Sequence, residues 1–290
     1  EGHVAGALVM VAHHTPIRSI HPRQLLLIGK VLFDTVYRDS DTAGAYRSVQ
    51  STILYDLLDE RDSVDIYEYI SAAKVDFPKM MQAVTARYIH HIDNRYIKRT
   101  FALELERIFP KGHSVLYKSY IGILVPSISS EQREALRDLA LKEDVSIGIS
   151  WPFSDLGEFK RHFYQAVSSI KQAQRFGDSD QVLDYTGYAC YDLYYNYTGK
   201  IPLQYYCHPA LFTLQHYDKD NHTELYCTLR KYLDLGKNLN ATAASLYIHR
   251  NTLHYRINRI VELTGLDLKD QNVTCSLMDS FRIQAFLSEH

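Results

Sequence analysis

Residues 241–263 read ATAASLYIHRNTLHYRINRIVEL, and this run constrains the fold more than any other part of the chain. Alanine, threonine and serine fill its first five positions, side chains small enough to let one helix lie close against another. Leu253, Ile257, Ile260, Val261 and Leu263 then recur at helical spacing, which predicts a second helix with one apolar stripe turned toward a core. Ile248 falls in the short connection, where a tight turn would bury it, and Asn240 is the expected cap of the first helix. Leu246, Ile248, Leu253 and Ile257 are expected to hold the two helices together. The pattern suits a helix-turn-helix, and equally an ordinary amphipathic pair within an α-helical domain.

The residues off the stripe are chemically selective. Asn251, Tyr255 and Asn258 lie outside it, with His254 and Arg259 nearer its margins. Asparagine can pair bidentately with adenine and arginine with guanine, while tyrosine and threonine reach phosphate oxygens. Arg250 and Thr252 stand at the start of the helix, where free backbone N–H groups also attract phosphate. Arg256 lies at the edge of the stripe and reads either as a phosphate contact or as a structural ion-pair partner. The candidate DNA-binding set is therefore Arg250, Asn251, Thr252, His254, Tyr255, Arg256, Asn258 and Arg259, with double-stranded DNA as the partner. Net charge over the whole chain is −2, so a basic coat is excluded, whereas 241–263 holds three arginines and two histidines against Glu262 alone. That balance predicts one local basic patch per subunit.

Residue order extends the pattern. A helix-like segment, LYCTLRKYLD from Leu225, leads into Thr242-Ala243-x-x-Leu246. His249-Arg250-Asn251-Thr252-Leu253-x-Tyr255-Arg256, Arg259-Ile260 and Thr264-Gly265-Leu266 follow. From Leu225 to Leu266 this resembles the C-terminal helix-turn-helix of the bacterial regulators of purine catabolism and sugar-diacid use, the PucR/CdaR type. Over fewer positions it is similar to nucleoid-bending factors of the Fis type. The resemblance implies activation of a catabolic operon in response to a small molecule of unknown identity. A single helix-turn-helix offers few contacts, so a homodimer reading two half-sites about one helical turn apart is expected.

Elsewhere the chain supplies cores and connections. With 290 residues, of which 46% are hydrophobic, two domains with substantial cores are affordable. No run of eighteen apolar residues occurs, so no membrane span is expected. The apolar run 5–12 has no basic leader and reads as the last strand of an N-terminal sensor rather than a signal peptide. Cys190, Cys207, Cys227 and Cys275 are widely spaced, which suits reduced thiols in a cytoplasm. The adjacent pairs His13-His14 and His90-His91 would point to opposite strand faces and are not expected to share a metal. The tyrosines between 185 and 206 are expected to pack half-buried.

Turn signals divide the chain into a sensor remnant (1–20), linker or dimerisation helices (21–60), a central α+β domain (61–200) and a helix-turn-helix domain (201–290). One linker helix opens at His21-Pro22; a second spans 43–60 and presents Val49, Ile53, Leu54, Leu57 and Leu58. These helices would pair across a dimer or pack on their own domain. In the central region strands are predicted at 80–92, 145–151 and 181–185, a hairpin at 114–125, and helices at 101–109, 130–141 and 155–176. The fold class is α+β: an antiparallel-rich sheet with helices, then an all-α helix-turn-helix domain.

The central order resembles the degenerate GGDEF-like, nucleotide-cyclase-like domain of the same regulators. Active cyclases place acidic metal ligands and glycines in the central hairpin. The corresponding residues here, 117–123, read YKSYIGI, with no carboxylate and one glycine. Two-metal phosphoryl chemistry needs clustered acids, so no catalytic residue, metal or cofactor is expected. Nor does a Gly-x-Ser-x-Gly elbow or a glycine-rich phosphate loop frame a hydrolase or kinase site. Two other readings stay open: a nucleotide-binding signalling protein using the central domain, and a protein-interaction module using the C-terminal helices.

Overall fold

Alternation of side chains along the central strands creates two apolar faces, and the fold is organised around covering both. The computed structural model describes residues 49–59, 76–90 and 94–288. The expected strand at 5–12, the helix opening at His21, the His13-His14 pair and His91 lie outside them. The described residues separate into two units. One runs to Ala173 and includes Ser179–Gly187; the other holds Gln174–Asp178 and the chain from Tyr188 onward.

The first unit contains α1 (Val49–Asp59), β1 (Gln82–Tyr88), α2 (Arg95–Ile108), β2 (His113–Tyr117), β3 (Tyr120–Val125), α3 (Ser130–Glu143) and β4 (Val145–Ile149). A short 3-10 turn, Leu156–Glu158, leads into α4 (Phe159–Arg175), followed by β5 (Val182–Asp184). The sheet order is β2-β3-β1-β4-β5. Every pairing is antiparallel except β4 with β5, whose parallel register needs the crossover that α4 supplies.

Val84, Ala86, Ile121, Ile123, Ile147 and Ile149 point to one face and share a core with Phe101 and Leu105 of α2, Phe109 just past its end, and Leu136 of α3. On the other face Ala83, Val115, Tyr117 and Leu124 meet Phe159, Phe163 and Val167 of α4 together with Ile53, Leu54 and Leu58 of α1. The described part of the 43–60 helix thus packs on its own domain. Val49 departs from expectation: it is exposed, because the buried stripe of α1 is centred on Ile53, Leu54 and Leu58.

Helix ends follow local chemistry. Asn94 caps α2, its side chain accepting the N–H groups of Tyr96 and Ile97, so this helix starts six residues before the predicted 101. Ser129 and Gln132 form a reciprocal capping box on α3. On the α4 side, β4 presents small residues, Ser146, Gly148 and Ser150 beyond its end, and the helix approaches closely. A Cβ at Gly148 would overlap the carbonyl oxygen of Ala166.

The second unit is helical: the greater part of α5 (Tyr185–Tyr195), a 3-10 turn at Leu203–Tyr206, α6 (Pro209–Asn221), α7 (Leu225–Asp234), α8 (Leu239–Ser245), α9 (Arg250–Thr264) and α10 (Gln271–Ser288). Its core joins Leu211 and Leu214 of α6, Leu225, Leu229 and Leu233 of α7, Ile260 of α9, and Leu277 and Phe281 of α10. Of the tyrosine-rich stretch, Tyr188, Tyr191, Tyr194 and Tyr197 are half-buried as expected, whereas Tyr195, Tyr205 and Tyr206 are exposed.

Gly148→Ala should destabilise the first unit by about 3 kcal/mol, because the helix backbone has nowhere to retreat. A lowered urea midpoint at unchanged slope, measured by circular dichroism, is the expected outcome.

Candidate nucleic-acid interface

The geometry around α9 begins with the helix before it. Asp218, near the end of α6, accepts the N–H of Leu225 at 2.8 Å on one carboxylate oxygen and that of Tyr226 at 2.8 Å on the other, and also holds the Thr223 hydroxyl. The first turn of α7 is therefore capped from outside. Glu224 occupies the N-cap position but makes no side-chain cap bond, which leaves its carboxylate for a partner elsewhere.

The short α8 is capped by Asn238, whose Oδ1 accepts the N–H of Ala241 at 3.1 Å. This corrects the expectation of Asn240, which lies inside the helix and is exposed. Burial of Thr242 and Ala243 fixes the start: Thr242 donates its hydroxyl to the Asn238 carbonyl at 2.7 Å, and both side chains face inward. The turn follows at Leu246, Tyr247 and Ile248. Tyr247 is left-handed, φ 54°, while the N–H of Ile248 bonds the Ala243 carbonyl at 3.0 Å. Ile248 is only half-buried.

His249 caps α9, its Nδ1 accepting the N–H of Asn251 at 3.2 Å. Gly265 closes the helix in a left-handed conformation, φ 66°, its N–H bonding the Val261 carbonyl. Leu253 and Ile260 are fully buried, and Ile257 and Leu263 partly so. Val261, assigned to the same stripe by spacing, is instead 37% exposed. About 80° of helix rotation separates it from Leu253, beyond the groove that neighbouring helices cover.

Arg250, Asn251, Thr252, His254, Tyr255 and Asn258 are all exposed, Tyr255 at 69%. Asn251, Tyr255 and Asn258 share the outward face at successive turns, and Asn258 Nδ2 lies 3.1 Å from His254 Nδ1. Arg256 and Arg259 are half-buried and engaged within the domain. Arg256 donates to Glu224 at 3.2 Å and to the Thr228 hydroxyl at 3.1 Å, so the ion pair is formed in this structure. Arg259 donates to the Tyr217 hydroxyl at 3.3 Å and to Glu262 at 3.0 Å, and these bonds, the tyrosine first, raise its pKa above the ordinary guanidinium value.

Sequence spacing missed Tyr247. Its ring is 97% exposed at the turn just before the helix N-terminus, and a left-handed non-glycine residue there costs about 1 kcal/mol or more. An aromatic residue in the connection between two helices was the available signal.

In the first unit, the hairpin that corresponds to the cyclase signature turns at Lys118 and Ser119, between the paired Tyr117 and Tyr120. Its glycine, Gly122, faces Phe163, whose ring lies 2.6 Å from where a Cβ would stand. Among the described residues no group of three or more His, Cys, Asp or Glu side chains is placed to hold a metal ion, and no helix is long and apolar enough to cross a membrane.

A helical unit presenting a polar, partly basic helix beyond a tight turn has the arrangement of a helix-turn-helix protein. Family comparison agrees: residues 225–283 match the PucR C-terminal helix-turn-helix domain and residues 58–171 match a GGDEF-like domain. The chain thus carries a PucR-type helix-turn-helix domain together with a GGDEF-like domain, and its relatives include transcriptional regulators. It is 31% identical over 180 residues to the proline-responsive transcriptional activator PutR of Bacillus subtilis, covering 57% of this chain and 44% of that one. It is 28% identical over 131 residues to the DNA-binding transcriptional activator AdeR of Bacillus subtilis, covering 45% and 31%. Over 49 residues it is 53% identical to the carbohydrate diacid regulator of Escherichia coli, covering 17% and 13%. The chain therefore spans less than half the length of these relatives.

Asp218→Ala should destabilise the second unit by about 1–2 kcal/mol, since two helix-start N–H groups lose their acceptor. Thermal melting of the variant should shift down, while Glu224→Ala, which removes no cap bond, should shift it less.

Proposed function

We propose that this chain is part of a transcriptional regulator that binds operator DNA in a sequence-specific manner and controls a catabolic operon, as an activator. The observation that carries the reading is the two-sided character of α9: Leu253 and Ile260 fully buried, with Asn251, Tyr255 and Asn258 exposed on the opposite face. A helix held by one face and polar on the other can enter a major groove without unpacking its domain. Arg250 and Thr252, exposed in the first turn, stand beside backbone N–H groups suited to phosphate, and Tyr247 adds a third group at the same end. His254 sits between the base-reading and backbone-facing positions. The names of PutR, AdeR and the carbohydrate diacid regulator support the assignment to regulation.

On this reading the active form is a homodimer with two half-sites, it works in the cytoplasm where the DNA is, and a small molecule sets its activity through a sensor region. The first unit is then a structural module and not an enzyme. Its hairpin turn holds lysine and serine where a metal site needs carboxylates, and its glycine accommodates Phe163 instead of a ligand.

The experiment is selection of a duplex from a random-sequence pool by the wild-type chain, followed by titration against that duplex and a scrambled one. Asn251→Ala and Tyr255→Ala should each weaken the selected duplex by about 1–3 kcal/mol with melting temperature unchanged. Arg250→Ala should weaken both duplexes and reduce the slope of log affinity against log salt by about one. Unchanged affinities in all three variants would refute the assignment of this face.

A further inference from the structure

Of the arginines on α9, two are turned away from the face that would meet DNA. At 100° per residue Arg256 and Arg259 fall on one flank of the helix, three positions apart, between the buried stripe and the outward face. We infer that both are positioning residues, which latch α9 to α6 and α7 and so set the angle at which Asn251, Tyr255 and Asn258 are presented. The inference rests on the DNA-binding reading above.

The geometry of each latch is complete. Arg256 Nη1 reaches Glu224 Oε2 at 3.2 Å and Thr228 Oγ1 at 3.1 Å. Thr228 is itself fully buried and donates its hydroxyl to the Glu224 carbonyl at 2.7 Å, which leaves a lone pair of that oxygen for the arginine. Arg259 closes a fork on one oxygen, Nε and Nη2 both 3.3 Å from the Tyr217 hydroxyl, while its third nitrogen reaches Glu262 at 3.0 Å. Its guanidinium carbon lies 5.3 Å from the centroid of the Tyr217 ring, close enough for the ring face to attract the cation. Only a planar guanidinium supplies donors in this arrangement.

The apolar stripe, with Leu253 and Ile260 fully buried, sets which face of α9 turns inward and how deeply the helix sits, and directional contacts on its flank resist rolling further. Arg256 and Arg259 supply two such contacts on one flank. Recruiting either arginine to a phosphate would also strand its acid partner beside the polyanion, Glu224 in one case and Glu262 in the other. Glu262 follows Asn258 by one helical turn on the outward face and is exposed; its charge marks where contact with the duplex ends.

The test uses the selected and scrambled duplexes with wild type, Tyr217→Phe, Glu224→Ala, their double variant, Arg256→Ala and Arg259→Ala, each assayed well below its measured melting temperature. The mild changes at Tyr217 and Glu224 keep the test decisive if an arginine variant fails to fold. Each single change should weaken the selected duplex by about threefold and the double variant by about tenfold. Affinity for the scrambled duplex and the salt slope should stay at the wild-type values throughout. A slope reduced by about one in Arg256→Ala or Arg259→Ala would overturn the inference, since it reports a lost phosphate contact. Equal weakening of both duplexes by Tyr217→Phe and Glu224→Ala, or no weakening at all, would overturn it as well. A wild-type chain that enriches no duplex would instead refute the DNA reading, and this inference with it.

Discussion

The second unit depends on the burial of Leu253 and Ile260, two fully enclosed side chains two turns apart on α9. Enclosing each stabilises the packed helix by about 1.5–3 kcal/mol, and Ile260 joins a core that includes Leu214, Leu229 and Leu277 from three other helices. A helix anchored this way has a fixed inner face. Everything on its outer face can then be chosen for chemistry rather than packing, so an exposed Tyr255 and two exposed asparagines carry little structural penalty. Capping reinforces the division: Asp218 satisfies α7 from a neighbouring helix, and Glu224, released from that task, meets Arg256.

Much of this was legible in the sequence because it is local and periodic. The spacing of Leu253, Ile257 and Ile260 shows the inner face, the small residues of α8 show a close helix approach, and the 114–125 hairpin appears as β2 and β3. What was not legible depends on partners distant in the chain. Arg256 and Arg259 read as candidate DNA contacts, and their hydrogen bonds to Glu224 and Tyr217, more than thirty residues earlier, become visible only in the folded chain. Asn238 and Asn240 are equally good caps by residue type, and burial of Thr242 and Ala243 selects between them. Val261 fits a broad apolar stripe, but it lies beyond the part of α9 that α6, α7 and α8 cover. The early start of α2 was hidden because its first turn, Arg95 to Lys98, is mostly basic and polar, and Asn94 supplied the only local signal.

The arrangement of the first unit does not depend on its hairpin turn. Its strand order and its helices on both faces follow from alternating apolar residues and from the close approach of α4 at Gly148. The hairpin loop lies outside those constraints, so a change to Lys118 and Ser119 leaves the core undisturbed. Gly122 has a packing reason of its own, since a Cβ there would lie 2.6 Å from the ring of Phe163. A match to a GGDEF-like domain is thus physically compatible with a hairpin that holds no carboxylate.

The central claim is that the outward face of α9 and the turn before it meet the duplex while the rest of the unit does not. Hydroxyl-radical oxidation of the chain, read residue by residue by mass spectrometry with and without the selected duplex, tests it directly. Oxidation of Tyr247, His254 and Tyr255 should fall sharply on adding the duplex, and that of the exposed Tyr205 and Tyr206 should not change. Protection of Tyr205 and Tyr206 with Tyr247, His254 and Tyr255 unaffected would contradict the account.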